Sequence, residues 1–277
     1  MVTLTRDAAE FDEHTSALLR SELICNMVLT VLRSIRDGHY PDARPLFAYA
    51  LDAHGRPCLA ALRTAPWPLL VGAVPDELAP ALIEGWMERD PDVPGVSGPA
   101  RAAERVAAAW RAQTGRRSRL GMQQAAHAAR EIVDPPRPAP GSLRVATGAD
   151  RPLLAAWIAG FMLEALGIED DRVQRSLDIH LAEEGLLLWE VEGVPACMVG
   201  VRPQVEGVVR IGPVYTPPAL RGRGYGSSAT AAASRRALGA GAHTCMLLTD
   251  LENPTSNKIY ADIGYRRFAD FATHDFE

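Results

Sequence analysis

Lysine and cysteine are scarce in this chain of 277 residues. Lys258 is the only lysine among 29 basic residues, and the four cysteines are Cys25, Cys58, Cys197 and Cys245. No two cysteines have the CxxC spacing of a zinc or redox site, and none of the seven histidines pairs at metal-ligand spacing. We therefore predict reduced core cysteines, a reducing compartment such as the cytoplasm, and no metal.

Long apolar runs and an excess of positive charge are also missing. No uncharged apolar run reaches the ~20 residues of a membrane span, and the acidic N-terminus does not resemble a signal peptide. The net charge of −5 argues against a general nucleic-acid partner. Residues 141–277 carry 13 basic and 17 acidic residues (13 − 17 = −4), so the closely spaced Arg221 and Arg223 stand out locally.

The strongest boundary signal is a proline-rich segment near the middle of the chain. Four prolines and a glycine within residues 134–142 are incompatible with a continuous helix or central strand. We predict a linker at residues 135–142 between two domains, 1–134 and 143–277. Two domains are also what a chain of this length is expected to form.

Apolar spacing predicts the elements of the first domain. One long helix spans Leu18 to Ile35 and ends at Gly38. The other predicted elements are strands at 46–51, 57–63 and 67–71, helices at 76–87 and 100–113, a loop at 91–99, and a strand or a helix at 120–133.

The second domain has a clearer pattern. Asp150 is predicted to cap its first helix, and a second helix spans about 170–184. A hairpin at 186–201, a strand at 208–216, a helix to 238, a strand at 243–249, a helix at 254–263 and a strand at 265–271 follow. The order αα-βββ-αβ-αβ predicts an α+β fold with helices on both faces of a sheet. The first domain has a blurred version of this order, which suggests a degenerate duplication.

The segment Leu220–Ser228 has glycines at 222, 224 and 226 between a strand and a helix. Such a turn presents free backbone amides at a helix N-terminus, and Arg221 and Arg223 can bond phosphate oxygens. The alternative is a plain surface turn. A nucleoside-triphosphate loop lacks support because no Lys-Ser/Thr pair follows the glycines, and the spacing is one residue tighter than the dinucleotide pattern GxGxxG.

Two motifs resemble the GNAT N-acetyltransferase superfamily. Arg221, Gly224 and Gly226 fill its diphosphate-loop pattern [RQ]xxGx[GA]. Asn253 and Tyr260, followed by Gly264 and an aromatic residue, are similar to its C-terminal signature. The resemblance covers residues 142–277 and implies a mixed, mostly antiparallel sheet flanked by helices, in two tandem copies. It also implies acetyl-CoA as co-substrate.

The resemblance implies a role for each matched residue. The strand residues Val214, Tyr215 and Thr216 are expected to bond the pantetheine arm through their backbone, and Asn253 to contact it through its side chain. Tyr260 is expected to protonate the leaving thiolate. The remaining residues expected to bind acetyl-CoA, mainly through amides at the diphosphate, are Arg221, Gly222, Arg223, Gly224, Tyr225, Gly226 and Ser227.

We therefore expect an N-acyltransferase that moves an acetyl group from acetyl-CoA to a primary amine of a small molecule or peptide. Glu164, Glu190 and Asp170 are candidates for attracting or deprotonating the amine, and none is assigned as the base. The first domain has no such motif and is expected to have lost CoA binding. The alternatives are a non-catalytic acyl-CoA-binding regulator and, more remotely, a nucleotide-binding protein; a homodimer stays open.

Overall fold

The computed structural model of the chain describes residues 1–40, 44–167 and 172–277. They form two compact units, an N-terminal unit of Met1–Gln124 with Ala269–Glu277 and a C-terminal unit of Ala125–Phe268. These boundaries fall within two strands, 118–129 and 266–276. They differ from the boundaries expected from the sequence, because the proline-rich residues 134–142 lie inside the C-terminal unit.

The helices and strands follow one another in an α+β order. The first part of the chain forms β1 (Val2–Thr5), α1 (Ala8–Ser21), α2 (Asn26–Arg36), β2 (Leu46–Leu51), β3 (Pro57–Arg63), β4 (Leu69–Val71), α3 (Ala79–Arg89), β5 (Gly95–Pro99), α4 (Ala100–Thr114) and β6 (Ser118–Ala129). The second part forms β7 (Ser142–Val145), α5 (Arg151–Leu166), α6 (Arg172–Ala182), β8 (Leu186–Val191), β9 (Val194–Val201), β10 (Val208–Tyr215), α7 (Tyr225–Gly239), β11 (Thr244–Asp250), α8 (Pro254–Asp262) and β12 (Arg266–Phe276).

In the N-terminal unit the strand order is β1-β2-β3-β4-β5-β12. Neighbouring strands are antiparallel except β4 and β5, which are parallel and pair at Leu69–Val96. Trp86 of α3 and Trp110 of α4 are buried in its core. The two tryptophans anchor these helices, since a buried aromatic side chain removes more apolar surface from water than any other.

In the C-terminal unit the order β11-β10-β9-β8-β7 repeats this scheme. Its strands are antiparallel except the parallel pair β10–β11, joined at Val208–Thr244. Buried alanines of α7, including Ala229, Ala231 and Ala233, let this helix pack closely on the sheet. The predicted fold class, a mostly antiparallel sheet flanked by helices and present in two copies, is confirmed.

Two predictions for the N-terminal half were wrong. The helix expected from Leu18 to Ile35 is interrupted, because Glu22 has extended backbone angles and ends α1 before α2 begins. The loop expected at 91–99 contains β5. Gly95 and Gly98 allow this strand to approach its neighbours, since a Cβ atom at either position would collide with the backbone of His274 or Val71.

Smaller differences concern ends and caps. The sequence does not predict strands β1 and β7. Residues 118–129 form a strand, whereas the sequence is compatible with a strand or a helix at 120–133. Asp150 does not cap α5 directly. Its carboxylate accepts from the Thr147 amide at 2.7 Å, within a capping box that Thr147 begins. Every helix in the described residues is too short or too polar to span a bilayer.

Buried histidines predict a loss of stability in mild acid. His180 lies fully buried at the end of α6, and desolvation, helped by Arg202 and Arg210, holds its pKa well below 6.5. The folded protein therefore resists a proton that the unfolded chain accepts below pH 6.5. We expect the free energy of unfolding to fall as the pH is lowered from 7 to 5.

Urea unfolding at several pH values measures this dependence. His127 and His274 also have lowered pKa values because of desolvation, so they add to the effect. His180→Gln is expected to flatten the profile, and the same change at the exposed His54 to leave it intact. Equal profiles for the His180 variant and the wild type would contradict the prediction.

Candidate functional site

The glycine-rich loop leads from β10 into α7. Gly222 and Gly224 have φ angles of 77° and 81°, in the left-handed region that glycine adopts without strain. Gly224 is the N-cap of α7, and no side chain caps the helix. The bond from the Ser228 amide to the Gly224 carbonyl, 3.1 Å long, is the first of the helical ladder. The amides of residues 225–227 therefore lie free at the positive end of the helix dipole, an arrangement suited to an anion.

Close packing fixes the position of this loop. A Cβ atom at Gly224 would lie 3.0 Å from the Arg137 carbonyl oxygen. A Cβ atom at Gly226 would lie 3.6 Å from the Thr216 hydroxyl, so the end of β10 faces the first turn of α7. The Tyr225 side chain is buried in the core and the Ser227 hydroxyl donates to the Gly224 carbonyl at 2.9 Å. The amides of these two residues therefore face a ligand more readily than their side chains do.

Strand β10 leaves its parallel neighbour part of the way along its length. Among the described residues, only Val208, Val209 and Arg210 of β10 pair with β11. A bulge follows between Ile211 and Val214, after which β10 pairs with β9 alone. The backbone of residues 214–216 therefore has one edge that no strand of the described residues covers. An extended ligand can add to such an edge as a further strand would.

Tyr260 of α8 lies close to this end of β10. Its side chain is partly buried and contacts the ring of Tyr265, with 6.1 Å between the ring centres. Cys197 of β9 interacts electrostatically with Tyr260, and its thiol bonds to the Thr216 side chain and the Tyr215 backbone. Desolvation, with Cys197 as a smaller cause, raises the pKa of Tyr260 above its usual 10. The phenol therefore keeps its proton at neutral pH and can donate it.

Asn253 begins α8 as expected from the sequence. Its side-chain oxygen accepts from the Ser256 amide at 3.0 Å, so the group that was expected to meet a CoA arm caps the helix. Sequence reasoning missed Asn257, which donates to the carbonyls of Asp250 and Asn253 at 2.9 Å and bonds the Thr249 hydroxyl. Asn257 thereby ties the end of β11 to α8. Its place four residues after Asn253 on the same helical face was an available signal.

The two arginines of the loop differ in their surroundings. Arg221 bonds the carboxylate of Glu164 at 2.5 Å and the Thr216 carbonyl at 2.8 Å. Within the described residues, Arg223 has one hydrogen bond, a 3.5 Å contact with the Ala219 carbonyl. The sequence predicts that both arginines bind phosphate. In the structure, the charge of Arg221 is offset by Glu164, whereas no described carboxylate offsets the charge of Arg223.

The acidic candidates are engaged or lie outside the described residues. Glu164 pairs with Arg221, and Glu190 accepts from Arg144 at 2.7 Å. Glu164 is therefore neutralised by Arg221, whereas Glu190 shares Arg144 with Asp150. Asp170 falls outside the described residues. In the parts of the chain that the structure describes, no group of three or more His, Cys, Asp or Glu side chains could hold a metal ion.

The proline-rich segment packs against the loop. The Ala139 amide donates to the Ser228 hydroxyl of α7 at 2.9 Å, and Trp189 donates to the Pro140 carbonyl at 3.0 Å. Asp134 pairs with Arg235, further along α7, at 2.5 Å. This segment is therefore docked on α7 and β8 instead of forming a free linker.

Comparisons with known proteins agree with this geometry. Residues 152–265 match the model of the "Acetyltransferase (GNAT) family". No curated protein matches the chain by sequence. Among solved structures, a GNAT-family acetyltransferase from Colwellia psychrerythraea is 13% identical, with 100% of this chain and 99% of that chain covered and a TM-score of 0.62.

Two other solved structures match over the whole chain. A tandem GNAT protein from the clavulanic acid biosynthesis pathway is 14% identical, with 100% and 98% coverage and a TM-score of 0.59. A Drosophila protein is 13% identical, with 100% and 98% coverage and a TM-score of 0.71. At these identities the likeness concerns the fold. Residues 152–265, which contain the glycine-rich loop, Asn253 and Tyr260, are a domain of the GNAT acetyltransferase family.

Proposed function

We propose that this protein transfers an acetyl group from acetyl-CoA to a primary amine, with the active site in the domain of residues 143–277. The observation that carries the proposal is the uncapped first turn of α7 next to the uncovered edge of β10. The turn suits a diphosphate, and the edge suits the amide-containing arm that follows it in CoA. Family membership of residues 152–265 supports acyl transfer in general.

The residues present fit this co-substrate. The backbones of Val214, Tyr215 and Thr216 would hold the pantetheine arm and polarise the thioester carbonyl. The amides of the first turn of α7 would bind the diphosphate, and Arg223 would offset its charge. The full set of residues proposed to form the acetyl-CoA site is Val214, Tyr215, Thr216, Arg221, Gly222, Arg223, Gly224, Tyr225, Gly226, Ser227 and Asn253.

The reaction needs one bond to form and one to break. The amine nitrogen attacks the thioester carbon, the C–N bond forms, and the C–S bond breaks. Tyr260 donates its proton to the departing sulfur, and the raised pKa keeps that proton available at neutral pH. The proton that the amine loses passes to solvent or to a carboxylate that is not assigned, since Glu164 and Glu190 are both paired with arginines.

We propose a different role for the N-terminal unit. The segment between β4 and α3 places Asp76 and Glu77 where the C-terminal unit has its glycines and arginines. Arg105 offsets the charge of Asp76, so Glu77 alone disfavours a diphosphate there, and this unit would support the fold or shape the acceptor site. The acceptor class is a small-molecule or peptide amine, and the net charge of −5 disfavours nucleic acid. Four free cysteines support a reducing compartment, and we propose the cytoplasm.

Binding of acetyl-CoA tests the proposal directly. At about a hundred times its Kd, acetyl-CoA should raise the unfolding temperature by roughly 5 °C or more. Thiol release across a panel of amines then tests for turnover. Saturable binding of acetyl-CoA without thiol release in the presence of any amine would favour the non-catalytic regulator. Displacement of acetyl-CoA by ATP or NAD would favour a nucleotide-binding protein.

Gly224→Val should raise the Kd for acetyl-CoA at least about tenfold. The new side chain would be strained at a φ of 81°, and its Cβ would press on the Arg137 carbonyl. Calorimetric titration measures the change. The matched control is Gly239→Ala at the other end of α7, where nothing lies within 4 Å, and its Kd should equal that of the wild type.

Tyr260→Phe should leave the Kd for acetyl-CoA within about twofold and slow thiol release at least roughly a hundredfold. The variant loses only the hydroxyl that donates the proton. Tyr265→Phe is the control, because its hydroxyl bonds Ser234 in the core and its loss should lower stability without this effect on rate. A Tyr260 variant that keeps the wild-type rate would remove the assigned role.

A further inference from the structure

Arg221, the first residue of the glycine-rich motif, is held by protein groups on two elements. Its Nε donates to the Thr216 carbonyl oxygen at 2.8 Å, just beyond β10. Its Nη2 donates to Oε2 of Glu164 on α5 at 2.5 Å. The guanidinium carbon also lies 5.6 Å from the centre of the Tyr215 ring. These contacts fix the orientation of the guanidinium.

Glu164 accepts from a second residue at the end of β10. The Tyr215 hydroxyl donates to Oε1 of Glu164 at 3.3 Å, while Arg221 uses the other oxygen. The Tyr215 ring lies on α5 at Gly160, where a Cβ atom would come within 2.5 Å of the phenol oxygen. Desolvation and the charge of Glu164 raise the pKa of Tyr215, so the phenol remains a donor. One carboxylate thus joins the strand end to the start of the loop.

The charges of this group argue against a role in attracting phosphate. Arg221 and Glu164 form a pair whose net charge is zero, and both side chains are about half exposed. A neutral pair contributes little to the attraction of an anion. Arg223, which no described carboxylate offsets, is better placed for that role.

We propose that Arg221 is a positioning residue and not a phosphate ligand, and that Glu164 holds it so that Tyr215, Thr216 and the loop form a preorganised acyl-CoA site. The inference rests on the proposed function. It gives Glu164 a role in binding the acyl donor instead of the amine acceptor. Removing the carboxylate charge would loosen the strand end, which contacts the arm of the donor, whether or not the donor carries phosphate.

Two donors separate positioning from phosphate binding. Acetyl-CoA carries phosphates, and acetyl-pantetheine shares its arm and thioester without them. Glu164→Gln should raise the Kd for both donors by the same factor, roughly two- to fivefold, as expected for a half-exposed ion pair. Calorimetric titration of the full chain measures both constants. Arg223→Gln should weaken acetyl-CoA alone.

Asp178→Asn is the matched control. It removes the ion pair between Arg151 of α5 and Asp178 of α6, which has a similar exposure and does not contact the loop. Its Kd values should equal those of the wild type for both donors. The double variant Glu164→Gln with Arg221→Gln should bind no more weakly than Arg221→Gln alone, because the amide oxygen can still accept from Tyr215 and the lost charge acts through the arginine. Unfolding temperatures within a few degrees of wild type show that each variant is folded.

Four results would overturn the inference. Glu164→Gln could leave both Kd values unchanged, which would show that the carboxylate does not position the site. It could instead tighten acetyl-CoA binding, which would show that the carboxylate competes with phosphate for Arg221. Arg221→Gln could weaken acetyl-CoA and spare acetyl-pantetheine, which would make Arg221 a phosphate ligand. The double variant could be weaker than Arg221→Gln alone. If the wild type binds neither donor, the proposed function itself fails.

Discussion

The separation of β10 from β11 is the constraint on which the rest of the site depends. The parallel ladder ends at Arg210, and the bulge between Ile211 and Val214 prevents its return. Pro213 has no backbone amide to donate, so the ladder could not continue through it unchanged. The chain beyond the bulge keeps its bonds to β9 and presents a free edge. The first turn of α7 then reaches this edge at Thr216 and Gly226.

The N-terminal unit has the same scaffold with different chemistry. There β4 and β5 are parallel over the pairs Leu69–Val96 and Leu70–Ser97, and a helix follows β4 as α7 follows β10. Asp76 forms an ion pair with Arg105, which also donates to the Val74 carbonyl at 3.1 Å. Arg105 thus occupies the carboxylate and one carbonyl of the segment after β4, and that segment lacks the run of glycines that precedes α7. A shared fold therefore does not imply a shared function.

Local signals in the sequence predicted much of this molecule. The hairpin β8–β9, the glycine-rich turn and the start of α8 at Asn253 depend on residues close together in the chain. Strand β5 could not be predicted, because its glycines matter only where β12 and β4 approach. The partner of Arg221 was equally hidden. Glu164 lies 57 residues away in sequence, and no local pattern relates the two.

Burial of Tyr260 affects both sides of the proposed proton transfer. A phenol whose pKa is raised is a weaker acid, so the transfer to an ordinary thiolate would be uphill. The thiolate that leaves beside it is desolvated too, however, and desolvation raises the pKa of a thiol for the same reason. Cys197, which borders both Tyr260 and the end of β10, shows the direction of this effect, since burial raises the pKa of its thiol to about 11. A leaving thiolate in these surroundings would therefore bind a proton more strongly than in water, which reduces the difference in pKa between the donor and the acceptor.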